Sequence, residues 1–299
     1  MTILLTGASG ILGTSIGAAL RERGVRLLKL VRHEPKATDE LRWNPATATL
    51  DEPERLEGLD GAVHLSGASV ASRRWTASYK REMTESRVAS TQFLSETLAK
   101  LRQPPAVLVK ASAVGFYGNR GDEILDEDST AGRGYLAELC KAWEEAARPA
   151  VDAGIRVVHL RFGVVLGRTG GAMNRLQPLF RLGLGGRLGS GRQWMSWVSE
   201  ADAVAAALFA VNDPTLSGPV NLVAPQPVTN ADFTRELGCA VHRPALLPAP
   251  AFALRLAFGE MADETLLAST RALPERLLQA GFSFTHPTLP QAFAAALAK

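Results

Sequence analysis

The run Ile3-Leu4-Leu5-Thr6-Gly7-Ala8-Ser9-Gly10-Ile11-Leu12-Gly13 decides the fold. Its three leading apolar residues read as a short buried strand that stops at Thr6-Gly7. Gly7, Gly10 and Gly13 then stand three apart. From Ile11 to Arg23 apolar residues recur at helical spacing, and Gly24 ends that helix as a C-cap. Glycines between a strand and a helix let the backbone approach a pyrophosphate, because no side chain stands in the way. The helix N-terminus adds unpaired N–H groups and about half a positive charge. The same glycines would also serve a tight turn that binds nothing. The strand before them and the helix after them favour the dinucleotide, with Gly7, Gly10, Ile11, Leu12 and Gly13 as its contacts.

Working outward, Val25 to Val31 returns as a strand and closes one βαβ unit. An acidic residue at the end of that strand would select NAD through the ribose 2′-OH. Here the strand ends in Arg32, whose guanidinium can hold a 2′-phosphate by two hydrogen bonds, so NADP(H) is the expected cofactor. Ala62 to Leu65 is the next buried strand, followed by the small residues Ser66-Gly67-Ala68. A helix over Thr76–Leu101, a strand over Ala106–Ala111, a helix over Tyr135–Ala153 and a strand over Val157–Leu166 follow. That alternation predicts an α/β fold with a doubly wound parallel sheet. Residues 1–167 form the nucleotide domain, with contributions from about 194–225. Residues 168–299 read as a smaller, mainly helical C-terminal substrate domain, proline-broken over Pro244–Pro250.

Composition narrows the function. The chain has 299 residues, a formal charge of +3, 46% hydrophobic and 21% charged residues. Disorder and coiled coil are excluded on that balance. The basic residues, mostly Arg, are scattered rather than clustered, so no nucleic-acid partner is expected. Two cysteines, Cys140 and Cys239, have no metal-ligand spacing, and no metal is expected. No apolar run is long enough for a membrane span, and the N-terminus lacks the basic region of a signal peptide. A cytoplasmic protein acting on a small molecule is the expectation.

Several segments together resemble one branch of the short-chain dehydrogenase/reductase superfamily: epimerase-family proteins with an appended C-terminal domain of unknown function. The likeness is carried by Thr6-Gly7-Ala8-Ser9-Gly10-Ile11-Leu12-Gly13, His64-Leu65-Ser66-Gly67, Arg74-Trp75 and Ser86-Arg87-Val88. Ser112 to Gly118, Arg161 to Gly167, Gly170 to Met173, Leu182 to Gly186 and Phe258 to Asp263 extend it over nearly the whole chain. The resemblance implies a Rossmann-type domain whose NADP(H) is met by Arg32, Leu65, Ser66 and Gly67, by Glu82 and Arg87 on the long helix, and near Val164. Read without it, Glu82 and Arg87 are solvated helix charges.

Where the chain departs from a working reductase of that type, the acid/base set is altered. Such an enzyme uses a Tyr, a Lys four residues later and an upstream Ser. Here Tyr135 is followed four residues on by Leu139, and Lys141 comes six residues on. Alignment through Glu144 puts Leu136 and Cys140 in the Tyr and Lys slots, and alignment through Tyr117-Gly118 puts Ala113 in the Ser slot with Ser112 one residue early. Tyr117, Ser112, Tyr135 and Lys141 stay open as candidates, with Tyr117 and Ser112 preferred because they end the strand facing the crevice. Trp194 and Trp197 read as domain-interface packing, and Glu260, Asp263 and Glu264 as a solvated helix face. Two further readings stand beside an oxidoreductase. One is an NADP-binding sensor without turnover. The other is a nucleotide-sugar epimerase, with Arg175, Arg181, Arg187 and Arg192 meeting a second diphosphate.

Overall fold

A computed structural model describes residues 1–168 and 170–298. The first half runs β1 (Thr2–Thr6), α1 (Ile11–Glu22), β2 (Arg26–Val31), β3 (Glu40–Asn44), β4 (Thr49–Leu50), β5 (Gly61–His64), α2 (Ala77–Ala99) and β6 (Val107–Ala113). It continues through β7 (Ile124–Leu125), α3 (Tyr135–Glu145), α4 (Arg148–Asp152), β8 (Arg156–Phe162), β9 (Val164–Leu166) and α5 (Gly171–Arg181). The remainder is β10 (Trp194–Met195), β11 (Trp197–Ser199), α6 (Glu200–Asn212), β12 (Gly218–Leu222), β13 (Val228–Thr229) and α7 (Asn230–Ala240). The tail holds α8 (Ala251–Phe258), β14 (Arg271–Ala272), α9 (Glu275–Gln279) and α10 (Leu289–Leu297).

Eight strands form one sheet in the order β12-β8-β6-β5-β1-β2-β3-β4, parallel except for β4. Side chains alternate across it. Ile3 and Leu5 face α1 and α6, against Ile16, Leu20 and Ala206. Leu4 faces the other way, against Leu94 and Leu98 of α2. The doubly wound sheet is therefore the expected one, with β3 and β4 added at an edge. Their signal was the alternation Leu41, Trp43, both buried.

Two expected elements are split. The helix over 135–153 breaks between α3 and α4, where Pro149 enters as a first-turn residue. The strand over 157–166 breaks at Gly163, where a Cβ would lie 2.6 Å from the Ser196 carbonyl oxygen. Beyond that approach β9 leaves the main sheet and pairs with β11. The tail, expected to be mainly helical, returns to the first half of the chain through a strand pair, β14 with β7. Among the described residues no helix is long and apolar enough to cross a membrane.

Candidate functional site

The glycine loop joins β1 to α1 at the carboxyl end of the sheet, where ligands bind in open α/β folds. Gly7 has φ +69°, and a Cβ there would lie 2.8 Å from the Leu65 carbonyl. A Cβ on Gly13 would lie 2.1 Å from the Gly7 carbonyl oxygen. These two glycines are demanded by the backbone itself. Gly10 differs: its Cβ would meet only Gly7 O, at 3.3 Å. The protein tolerates bulk there better than a ligand close to the loop would. Helix α1 begins at Gly10 with no side-chain cap, so its first N–H groups face outward unpaired by any side chain. A cavity of about 260 Å³ lies over them, lined by Gly10, Ile11, Leu12, Leu65, Ala111 and Phe162 among others. The donor set and the missing side chains fit a diphosphate.

The other predicted cofactor residues surround this cleft unevenly. Arg32 follows β2, is exposed, and has no ion-pair partner among the described residues. Leu65 and Ser66 pack their backbone on Gly7. Arg87 is buried and donates to the Ala68 carbonyl at 2.8 Å, while a Cβ on Gly67 would sit 3.2 Å from its guanidinium carbon. It thus holds the 66–68 loop from below. Glu82, five residues earlier on α2, is exposed and lies 3.7 Å from Arg73. Val164 is half-buried on β9, its N–H donating to Ser196 O at 2.8 Å.

The catalytic expectations need correction. Tyr117 is fully buried. Its hydroxyl bonds the Asp126 carbonyl at 2.8 Å and Asn221 Oδ1 at 2.7 Å, and accepts from Arg161 at 3.0 Å. Burial pushes its phenol up to about 12, against the pull of Arg161. A hydroxyl so enclosed does not touch a substrate, so Tyr117 is a structural link between β12, β8 and the turn after β6. Ser112 fails in a similar way. It is buried and donates to Glu144 Oε1 at 2.6 Å. Lys141 is exposed and pairs with Glu138 at 3.3 Å, away from Tyr135. Tyr135 is half-buried, and its hydroxyl donates to the Lys80 carbonyl at 2.7 Å. Leu136 and Cys140 share one stripe of α3 and face Gly115 at the strand end. The stripe that would carry a Tyr and a Lys is therefore apolar, with burial raising the Cys140 thiol to about 11.

Beneath the strand ends lies a polar layer that sequence reasoning missed. Glu144 holds Arg161 through two hydrogen bonds of 2.9 Å each. His64, Lys110 and His159 stand side by side in the register of β5, β6 and β8. Lys110 is fully buried, its Nζ bonds nothing, and it sits 4.8 Å from the Trp143 ring centroid. Burial pushes its ammonium down to about 7, although Glu144 pulls the other way. Burial, and then Lys110, lower His64 and His159 to about 3. The available signal was three titratable residues inside the mainly apolar strands β5, β6 and β8.

The tail residues expected to be solvated are engaged too. Glu264 accepts from the N–H groups of Tyr135 and Leu136 at 3.1 Å each and so caps α3. Glu260 pairs with Lys80, and Asp263 with Arg255 at 2.9 Å. Trp197 is buried among Leu166, Phe180 and Phe233, and Trp194 lies under Arg271 at 4.0 Å.

Residues 3–222 match the model of the NAD dependent epimerase/dehydratase family. The chain belongs to that family. Residues 249–296 of this epimerase-family chain match a second model, described as a domain of unknown function (DUF1731). It is 48% identical to Epimerase family protein Mb2239 of Mycobacterium bovis over 290 residues, covering 97% of this chain and 95% of that protein. It is 34% identical to Epimerase family protein YfhF of Bacillus subtilis, covering 97% and 95%. Among solved structures it resembles human epimerase family protein SDR39U1 (isoform2) with NADPH, at 33% identity and a TM-score of 0.92, covering 100% of both chains. It also resembles a nucleoside-diphosphate sugar epimerase from Corynebacterium glutamicum, at 38% identity and a TM-score of 0.82, covering 99% of this chain and 58% of that one.

Proposed function

We propose that this chain binds NADP(H) over its glycine loop and acts on a small molecule as an oxidoreductase with an altered acid/base set. The observation that carries the reading is the cavity floored by Gly10 and the uncapped start of α1. The likeness to a human protein crystallised with NADPH supports it. When bound, NADPH supplies a hydride. The chain's own residues do the rest. The α1 N–H groups hold the diphosphate. Arg32, with no ion-pair partner among the described residues, takes the 2′-phosphate bidentately. Arg87 fixes the loop that carries Ser66. Of the three tyrosines, Tyr79 and Tyr117 are sealed in the core, and only Tyr135 is partly open.

A second reading, an NADP(H)-binding protein without turnover, is favoured by one observation. The α3 stripe facing the strand end presents Leu136 and Cys140, neither of which moves a proton readily. NADPH oxidation across a panel of aldehydes and ketones separates the two. Turnover above the protein-free rate supports the oxidoreductase. Tight NADPH binding with no turnover on any carbonyl supports the second reading.

A further inference from the structure

A string of hydrogen bonds runs from the interior to the edge of the proposed cofactor cleft. Trp143 Nε1 on α3 donates to Thr91 Oγ1 on α2 at 2.9 Å. Thr91 Oγ1 lies 3.0 Å from His64 Nε2, and His64 Nδ1 lies 2.6 Å from Thr6 Oγ1. Ser66 Oγ donates to Thr6 Oγ1 at 2.9 Å. Thr6, His64 and Thr91 are fully buried, whereas Ser66 is half-buried. Thr6 directly precedes the glycine loop, and Ser66 belongs to the loop packed on Gly7.

We infer that His64 is a positioning residue for the dinucleotide cleft, acting through Thr6 on the Ser66 hydroxyl and on the start of the glycine loop. The inference rests on the NADP(H) reading. Its physical basis is that a half-buried serine keeps several rotamers unless a partner fixes one. Thr6 can fix it only if its own hydroxyl is held from the other side. A neutral imidazole does this because one ring nitrogen accepts while the other donates, so it passes order from one hydroxyl to the next. Trp143 sets the far end, since an indole N–H can only donate. Buried networks of this kind hold one arrangement when every member is satisfied. Leu65, between His64 and Ser66, sets its carbonyl against Gly7.

The test breaks the string far from the ligand. Thr91→Val keeps shape and removes the hydroxyl three hydrogen bonds from Ser66. We expect about a fivefold rise in the Kd for NADPH, and a similar rise for Ser66→Ala. In the double variant Thr91→Val/Ser66→Ala we expect no further loss, because the two act on one hydroxyl. Thr91→Ser, which restores the hydroxyl, should bind as wild type. His64→Gln should behave as Thr91→Val, and thermal melting shows whether it is folded. Losses that multiply in the double variant, or Thr91→Val binding NADPH like wild type, overturn the inference while the cofactor reading stands. Wild-type protein that does not bind NADPH overturns both.

Discussion

Ser112 Oγ donates to Glu144 Oε1 at 2.6 Å, and the same carboxylate clamps Arg161 from β8. The serine at the end of the catalytic-type strand is thereby committed to an ion pair inside the protein. Burial draws the Glu144 carboxyl up, but Arg161 more than offsets this and holds it below the usual range. Ser112→Ala should therefore lower stability by about 1 kcal/mol, the usual net worth of a hydrogen bond. Urea unfolding reads that loss. NADPH affinity, and any turnover, should stay within about twofold of wild type.

Tyr117→Phe should act on the fold and not on chemistry. The variant strands Asn221 Oδ1 and removes a partner from Arg161. A loss of about 1–3 kcal/mol in unfolding free energy is expected. A hundredfold loss of kcat/KM with unchanged stability would restore Tyr117 as a proton donor.

The glycine loop makes a paired prediction. Gly13→Ala forces a Cβ to 2.1 Å from a carbonyl oxygen and should yield unfolded or insoluble protein. The Cβ of Gly10→Val meets only Gly7 O, at 3.3 Å, so the variant should fold and yet lose NADPH binding by about a hundredfold or more. Circular dichroism with NADPH titration separates the two effects. A folded Gly10→Val protein that binds NADPH normally reduces the loop to a turn.

Lys110 predicts a pH dependence. Its folded pKa is about 7, below the unfolded lysine value, so the unfolded chain binds more protons between the two. Stability should rise with pH from about 7 to 8.5, by up to about 1.4 kcal/mol per unit. Above that window Cys140, raised to about 11, and Tyr117, raised to about 12, pull the other way. His64 and His159, lowered to about 3, add stability that is present above their unfolded pKa and lost as pH falls toward 3. Lys110→Met should flatten the rise between pH 7 and 8.5 and stabilise the protein at pH 7. Urea midpoints at pH 7, 7.8 and 8.5 show it; parallel slopes for wild type and variant would contradict it.

The glycine loop was legible because its signals are local: a strand, three glycines and the start of a helix within a dozen or so residues of Ile3. The place of Arg32 directly after a strand was legible for the same reason. Tyr117 was not. Its burial is set by Asn221 and Arg161, 104 and 44 residues away in sequence, and nothing near Tyr117 announces them. Ser112 was misjudged likewise, since Glu144 reaches it from a helix 32 residues on. Glu264 looked like a solvated helix charge until the tail folded back onto the start of α3. Side chains paired across long sequence distances are the ones a linear reading places wrongly.

Titration of purified protein with NADPH and with NADH, followed by energy transfer from protein to nicotinamide, tests the central claim most directly. NADPH should bind at least about tenfold more tightly than NADH, a difference of about 1.4 kcal/mol, and Arg32→Ala should bring the two together. Equal affinities in the wild type would contradict the role given to Arg32, and binding of neither nucleotide would contradict the cofactor site itself.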